Sequence, residues 1–381
     1  MNTNFEMVAK TFFGFEEILA TELKNLGAQQ VKPGNRSVSF RGDQGFMYKC
    51  NLHVRTALKI LKTITHFNVK NEQDLYRGIY QIDWSKYLIA NGTISVVATV
   101  YSEIFTNSHY VVHRTKDAIV DQFRNHTGSR PQVNKDHPDL IVYIHIQRDL
   151  CTVSLDSSGG SLHLRGYRTA TNIAPINEVL AAGLLLQSGW HGQTDFLDPM
   201  CGSATFLIEA AMIACNIPAN INRREFGFQH WPDYDADLFE LIEKSLMSRI
   251  RDFSYKIVGY DKAPSAVRKA KENIKNAQLD GFIEVYERDF FETKKLSHTP
   301  LTMVFNPPYD ERLSTDVETF YKNMGDTLKQ GYTNSEAWFI TANLNALKYV
   351  GLRPSRKIKT FNGKLEARFV NYTLYSGSKK K

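Results

Sequence analysis

Asp198-Pro199-Met200-Cys201-Gly202-Ser203-Ala204-Thr205 joins a candidate strand at 194–198 to the helical pattern Phe206-Leu207-Ile208-Glu209-Ala210-Ala211-Met212. The order is strand, small-residue turn, helix. Small side chains let a ligand come close to the backbone, and a helix start offers unpaired N–H groups at the positive end of its dipole. No Lys stands where a phosphate-cradling loop needs one, and the three-glycine dinucleotide fingerprint is missing. The turn therefore suits a nucleoside-like ligand other than ATP or a dinucleotide.

Candidate strands at 194–198, 257–261, 283–288, 301–305, 337–341 and 368–375 alternate with helical patterns from about residue 165 onward. Such alternation marks an α/β, Rossmann-like parallel sheet with crossover helices, whose ligands bind beyond the carboxyl ends of the strands. Asp198, Asp261, Asp289 and Asn306 fall at four of these ends. A carboxylate at Asp261 can take both hydroxyls of a ribose. Asp289 can accept from the amino group of an adenine, with Phe290 against the ring. Pro264 suits the first turn of the helix after Asp261, where Val267, Ala270, Ile274 and Ala277 form an apolar stripe and the Lys and Arg residues between them read as solvated.

The run Leu301-Thr302-Met303-Val304-Phe305 ends in Asn306-Pro307-Pro308-Tyr309. Two prolines cannot donate to a sheet ladder, so the strand stops and a rigid loop leaves it. The Asn306 carboxamide and the Pro307 carbonyl can accept from an exocyclic amine, while Tyr309 stacks on a base. Together these residues describe an adenosine-containing ligand beside a flat, amino-bearing substrate.

With 381 residues, 42% hydrophobic and 23% charged, the chain is of ordinary globular composition and long enough for two or three domains. A net charge of +7 and a pI near 9.0 favour a polyanionic partner. No apolar run reaches the length of a spanning helix, and the N-terminus lacks the pattern of a signal peptide. Cys50, Cys151, Cys201 and Cys215 are scattered. Neither a disulfide framework nor a metal site is expected, and a cytoplasmic, reducing compartment fits.

The first 55 or so residues read as a small α/β unit, with a helix from about Gly14 (Ile18, Leu19, Leu23 and Leu26 inward, Gly27 its stop) and strands near 30–32 and 37–40. A second unit, at about 60–160, carries a strand at 93–101, a helix at 108–124 and a hairpin of 140–146 with 151–155. Arg114, Lys116, Arg124, Arg130 and Lys135 punctuate it and read as a solvated face. About sixty residues separate Asp198 from Asp261, more than one crossover helix needs. Segment 217–252, with Arg223-Arg224 and Phe226-Gly227-Phe228-Gln229-His230-Trp231, reads as an insertion. Its aromatics suit a lid, an RNA contact or packing onto the domain.

Residues 165–381 resemble a class I S-adenosylmethionine-dependent methyltransferase with an amino-methylating N-P-P-Y loop. The whole chain resembles the THUMP-domain RNA methyltransferases, in particular the bacterial enzymes that methylate guanine exocyclic amines in large-subunit (23S) ribosomal RNA. The matching stretches are 161–168, 174–182, 198–214, 259–277 and 306–313. The resemblance implies a ferredoxin-like domain at 1–58, an RNA-binding THUMP domain at 59–160 and a methyltransferase domain at 161–381. It assigns Asp198, the Cys201-Gly202-Ser203 turn and Thr205 to the methionine end of the cofactor, Asp261 to its ribose, and Asp289 with Phe290 to its adenine. Asn306, Pro307, Pro308 and Tyr309 go to the target base, Asn306 also bordering the cofactor. The family usually has Gly where this chain has Ala204 and Asp310. The expected reaction is methylation of a guanine amino group in RNA. Adenine amino methylation of RNA or DNA, and a non-catalytic RNA-binding or ribosome-assembly role, are the alternatives.

Overall fold

The computed structural model describes residues 4–169, 175–295, 299–308 and 316–377. The chain forms two compact units. The first comprises residues up to Thr11, Ala20–Leu162 and Arg224–Lys244; the second comprises Phe12–Leu19, His163–Arg223 and the chain from Ser245 onward. Phe12–Leu19 folds with the later part of the chain, and part of the insertion folds with the earlier part.

In the first unit the chain runs β1 (Phe5–Lys10), α1 (Glu16–Leu26, begun in the second unit), β2 (Gln29–Gly34), β3 (Ser37–Gly42), α2 (Gln44–His53) and β4 (Lys59–Asn68). It continues as α3 (Glu72–Tyr80), β5 (Thr93–Tyr101), α4 (Ser108–Thr127), β6 (Gln132–Val133), β7 (Leu140–Gln147) and β8 (Leu150–Asp156). Eight strands form one sheet in the order β2-β3-β1-β4-β8-β7-β5-β6. β4 pairs antiparallel with β1 on one side and β8 on the other, so the segments expected at 1–58 and 59–160 share a single sheet. The expected helix near 108 starts where the Asn107 side chain accepts from the N–H groups of His109 and Tyr110. It ends three residues later than expected, at the left-handed Gly128.

The aromatics of the insertion are packed. Phe226, Phe228 and Trp231 are 3%, 1% and 3% exposed, and Phe228 stacks on Tyr48 of α2 with centroids 4.4 Å apart. Of the three uses their composition allowed, core packing is the one these rings adopt.

The second unit adds α5 (Glu178–Ser188), β9 (Asp195–Asp198), α6 (Thr205–Ala214), α7 (Ala236–Met247, begun in the first unit), β10 (Ile257–Asp261), α8 (Pro264–Asn276) and β11 (Ile283–Glu287). β12 (Leu301–Phe305), α9 (Val317–Gly331), β13 (Ser335–Thr341), β14 (Arg356–Asn362) and β15 (Leu365–Leu374) complete it. The sheet order is β11-β10-β9-β12-β13-β15-β14, parallel from β11 to β13. β15 runs antiparallel to both of its neighbours. β14 had no counterpart among the expected strands, because Arg356, Lys357, Lys359 and Thr360 leave its seven residues without a clear apolar alternation. The direction of strand addition reverses at β9, the switch point at which such sheets bind ligands.

Phe12, Phe15 and Ile18 join the core of this unit beside Leu180, Leu184 and Phe369. The packing is close at Gly183 of α5, where a Cβ would stand 2.2 Å from the Phe15 ring. Arg165 is 1% exposed and is held by Glu209 at 3.3 Å and Asn220 at 3.0 Å, with the Tyr167 hydroxyl donating to the same Glu209 oxygen at 3.2 Å.

Candidate active site at the ends of four strands

Asp198, Asp261 and Asn306 lie at the carboxyl ends of β9, β10 and β12, and Asp289 follows β11 by two residues. In register, Gly259 pairs with Asp198, Asp261 with Glu287, and Met303 with Leu197. The four residues therefore share one end of four adjacent strands. A parallel sheet produces this from sequence alone, since every strand enters from the same side and exits toward the same end.

The Asp198 carboxyl is 2% exposed and accepts from Met200 N–H at 3.1 Å. Burial raises its pKa well above the ordinary carboxylate value; the Met200 N–H opposes that shift and the charge of Asp261 adds to it. Asp261 Oδ2 accepts from Gly202 N–H at 3.0 Å and Oδ1 from Ala263 N–H at 2.9 Å. Cys201 N–H donates to the Tyr260 carbonyl at 2.8 Å. The turn is thus fastened to the end of β10 by two backbone donors. Gly259 permits the approach: a Cβ there would meet Leu207 at 2.4 Å and Cys201 Sγ at 3.1 Å. Burial raises the Cys201 thiol pKa, so this sulfur packs and does not act as a thiolate.

Ala204 adopts φ +70°, in the left-handed region that favours Gly. The methyl group costs roughly 1 kcal/mol of backbone strain there. It also leaves α6 without a side-chain cap. Two residues without an expected role support the turn instead. Arg168 Nη2 donates to Thr205 Oγ1 at 2.7 Å and to the Ile176 carbonyl at 3.0 Å, while its Nε lies 3.1 Å from Glu178. Burial pushes the Glu178 carboxyl up to about 7, against the pull of Arg168. Asn273 of α8 donates to the Ser203 carbonyl at 3.1 Å and accepts from Thr169 N–H at 3.2 Å. A fully buried Asn inside an apolar helix stripe was the available signal for this residue.

Asp289 caps a short turn by accepting from Phe291 N–H at 3.0 Å. It borders a cleft of about 630 Å³ whose walls include Lys262, Glu287, Arg288 and Glu292. The expectation that the Phe290 ring lies against an adenine needs correction. That ring is 2% exposed and packs on Tyr332, Phe291 and Phe305, where it buries more area than a half-open ligand wall would give it. Pro307 is buried and Asn306 half-buried. Tyr309 and Asp310 lie outside the described residues. Among the described residues no cluster of side chains could hold a metal ion, and no helix is long and apolar enough to cross a membrane.

A family profile described as the RMKL-like methyltransferase domain matches residues 165–371. The chain belongs to that methyltransferase family. A THUMP profile matches residues 69–156 of this methyltransferase, and an RlmL ferredoxin-like profile matches 6–61. A Synechocystis sp. protein, provisionally named an RNA methyltransferase, is 36% identical over 95% of this chain and 95% of its own length. The ribosomal RNA large subunit methyltransferase K/L of Cellvibrio japonicus is 35% identical over 95% of this chain. Only 50% of that protein is covered, so the chain spans about half the length of its K/L relatives. Among solved structures, SMU.472, provisionally named a methyltransferase and solved with SAH, has a TM-score of 0.87 at 29% identity, covering 99% of this chain and 100% of its own. A Listeria monocytogenes protein named for a predicted N6-adenine-specific DNA methylase activity has a TM-score of 0.86 at 26% identity, with 99% and 97% covered.

S-adenosylmethionine is the cofactor of this methyltransferase, and the strand ends fit it. Neither Asp198 nor Asp261 has a basic partner among the described residues. A buried carboxyl beside a second one suits a ligand that brings its own positive charge.

Proposed function

We propose that this protein transfers a methyl group from S-adenosylmethionine to the exocyclic amino group of a guanine in RNA, in the 23S ribosomal RNA or a large-subunit precursor. The observation that carries the reading is the placement of Asn306 and Pro307 at the end of β12, the strand next to the one that ends in Asp198. Two acceptors for an amine thus stand beside the cofactor's strand ends. The names of the K/L relatives support ribosomal RNA, and the THUMP match supports RNA over DNA.

When bound, the cofactor supplies a methyl group on a positively charged sulfur. Asp198 and the Cys201-Gly202-Ser203 turn, with Thr205, hold its methionine end; Asp261 takes the ribose and Asp289 the adenine amino group. The Asn306 carboxamide and the Pro307 carbonyl accept hydrogen bonds from the two N–H groups of the guanine amine. That directs the nitrogen lone pair, otherwise delocalised into the ring, toward the methyl carbon. Positioning then supplies most of the rate. Pro308 fixes the loop, and Tyr309 stacks on a base that has left its helix, returning roughly 1–3 kcal/mol of the unstacking cost. Residues 1–58, 59–160 and 161–381 serve as ferredoxin-like, RNA-binding and catalytic segments of a cytoplasmic enzyme.

Transfer of labelled methyl from S-adenosylmethionine to deproteinised large-subunit ribosomal RNA, with nucleoside analysis, tests the reading. Label in N2-methylguanosine is expected. Label in methyladenosine would replace it with the adenine reading that the name of the Listeria structure favours.

A further inference from the structure

Residues 337–365 contain Lys348, Arg353, Arg356, Lys357, Lys359 and Lys364 and no Asp or Glu. This short stretch holds six positive charges in a chain whose net charge is +7. Its centre is β14, the outermost strand of the methyltransferase sheet. We propose that β14 and the segments flanking it are the surface of the methyltransferase unit that receives the phosphate backbone of the RNA. This rests on the RNA reading above and adds to it the place on this unit where the RNA lies.

Lysines on an edge strand also block edge-to-edge pairing of sheets, and one or two suffice for that. The cations here exceed that need, and five of the six form no ion pair among the described residues. Lys359 pairs with Glu366 at 2.8 Å. Lys348, Arg353, Arg356, Lys357 and Lys364 are exposed and form no ion pair among the described residues. In the same unit Arg165 is buried against Glu209 and the half-buried Arg168 pairs with Glu178. Arg268, Lys271 and Lys275 of α8 are exposed too, but Glu272 stands among them, whereas no acidic residue stands among the cations at 337–365.

The register carries this edge to the active site. Phe305 of β12 pairs with Phe339, Phe339 with Val370, and Val370 with Lys357. Lys357 is thus level with the last residue before Asn306, three strand spacings away, or about 14 Å. Lys359 lies farther along, paired with Arg368 opposite Thr341. β13 is parallel to β12, and two antiparallel steps make β14 parallel to both. The turn that carries Lys364 therefore projects at the end where Asn306 leaves the sheet. Lys348 follows β13 at that same end. A strand of RNA tracking these cations would arrive beside the amine acceptors. Aromatic or groove features for reading sequence are not needed for such a contact, because phosphate neutralisation supplies sequence-independent affinity.

The test compares R356Q/K357Q/K364Q with wild type and with R268Q/K271Q/K275Q, which removes the same charge from the exposed face of α8. Binding of deproteinised large-subunit ribosomal RNA is measured against salt, together with cofactor binding and methyl transfer. The β14 variant should bind RNA at least about tenfold more weakly near 0.1 M salt, and its salt slope should fall by about 2, close to 0.7 per phosphate contact on single strands. KM for RNA should rise while kcat and cofactor affinity hold. The α8 variant should retain most of the wild-type slope. K364Q alone, at an exposed turn that tolerates substitution, should lower the slope by about 0.7. An unchanged slope in both β14 variants, with wild type binding and methylating RNA, overturns the surface and leaves the RNA reading standing. Equal losses in the β14 and α8 triple variants also overturn it, since net charge would then be the cause. Wild type that neither binds nor methylates RNA overturns the RNA reading, and this surface with it.

Discussion

Gly202 donates its backbone N–H to Asp261 Oδ2 at 3.0 Å, so the carboxylate assigned to the ribose also pins the turn assigned to the methionine end. Asp261→Asn leaves one acceptor oxygen for two backbone donors, Gly202 and Ala263. Cofactor Kd should rise about tenfold or more and stability should fall by roughly 1–2 kcal/mol. Calorimetric titration and thermal melts check both. A variant that melts like wild type yet loses the cofactor would assign Asp261 to the ligand alone.

Asn306→Ala removes the proposed amine acceptor. Turnover should drop by about 10²-fold or more, with cofactor affinity nearly intact. Loss of cofactor binding with turnover per bound cofactor unchanged would make Asn306 a cofactor ligand and not an amine acceptor.

Asp198 makes cofactor binding depend on pH. Its carboxyl pKa is raised by burial, so the free protein holds the proton above the ordinary carboxylate range, while a cationic ligand favours the ionised form. Cofactor affinity should therefore increase as pH rises through the raised value and level off above it. Asp198→Asn should bind more weakly and flatten the profile. The same raised pKa makes the ligand-free fold lose stability with rising pH, because the folded state binds this proton more tightly than the unfolded chain does. Glu178 acts in the same sense between about 4.5 and 7, and Glu178→Gln should reduce the fall in melting temperature across that window.

Gly183→Ala would ordinarily strengthen a helix by roughly 0.5–1 kcal/mol. Here the added Cβ meets the Phe15 ring at 2.2–2.5 Å. A net loss of about 1–3 kcal/mol is expected by denaturant unfolding. Phe15→Leu in the same chain should recover part of it. Additive losses in the double variant would contradict direct contact.

Ala204→Gly relieves the left-handed strain at φ +70° but loosens the unfolded chain. The two effects nearly offset, so stability should stay within about 1 kcal/mol of wild type. A larger loss would mean that the methyl group packs usefully in the core.

The strand–helix alternation and the four strand-end residues were legible because they rest on local pattern and on a rule of parallel sheets. Asn273 and Arg168 were harder to assign, since their partners Ser203 and Thr205 stand 70 and 37 residues away. The aromatics at 226–231 had the right composition for RNA stacking. Only the presence of Tyr48 beneath them, in a helix made far earlier, decides for packing. Phe290 misled for a related reason: an aromatic next to a functional Asp belongs equally to the core.

Membership of Phe12–Leu19 in one unit and Arg224–Lys244 in the other sets an order of events during synthesis. Phe12 and Phe15 leave the ribosome first, yet their core partners Leu180, Leu184 and Phe369 emerge much later. Tyr48 likewise waits for Phe228. At 5–20 residues per second, that wait is on the order of 10–40 seconds for Leu180, Leu184 and Phe228 and 20–70 seconds for Phe369, with apolar side chains uncovered. Two halves cut at residue 160 would each be missing a piece held by the other. The nascent chain should be a stronger client of chaperones than its mature surface suggests, and a graft of either unit succeeds only if its borrowed segment travels with it.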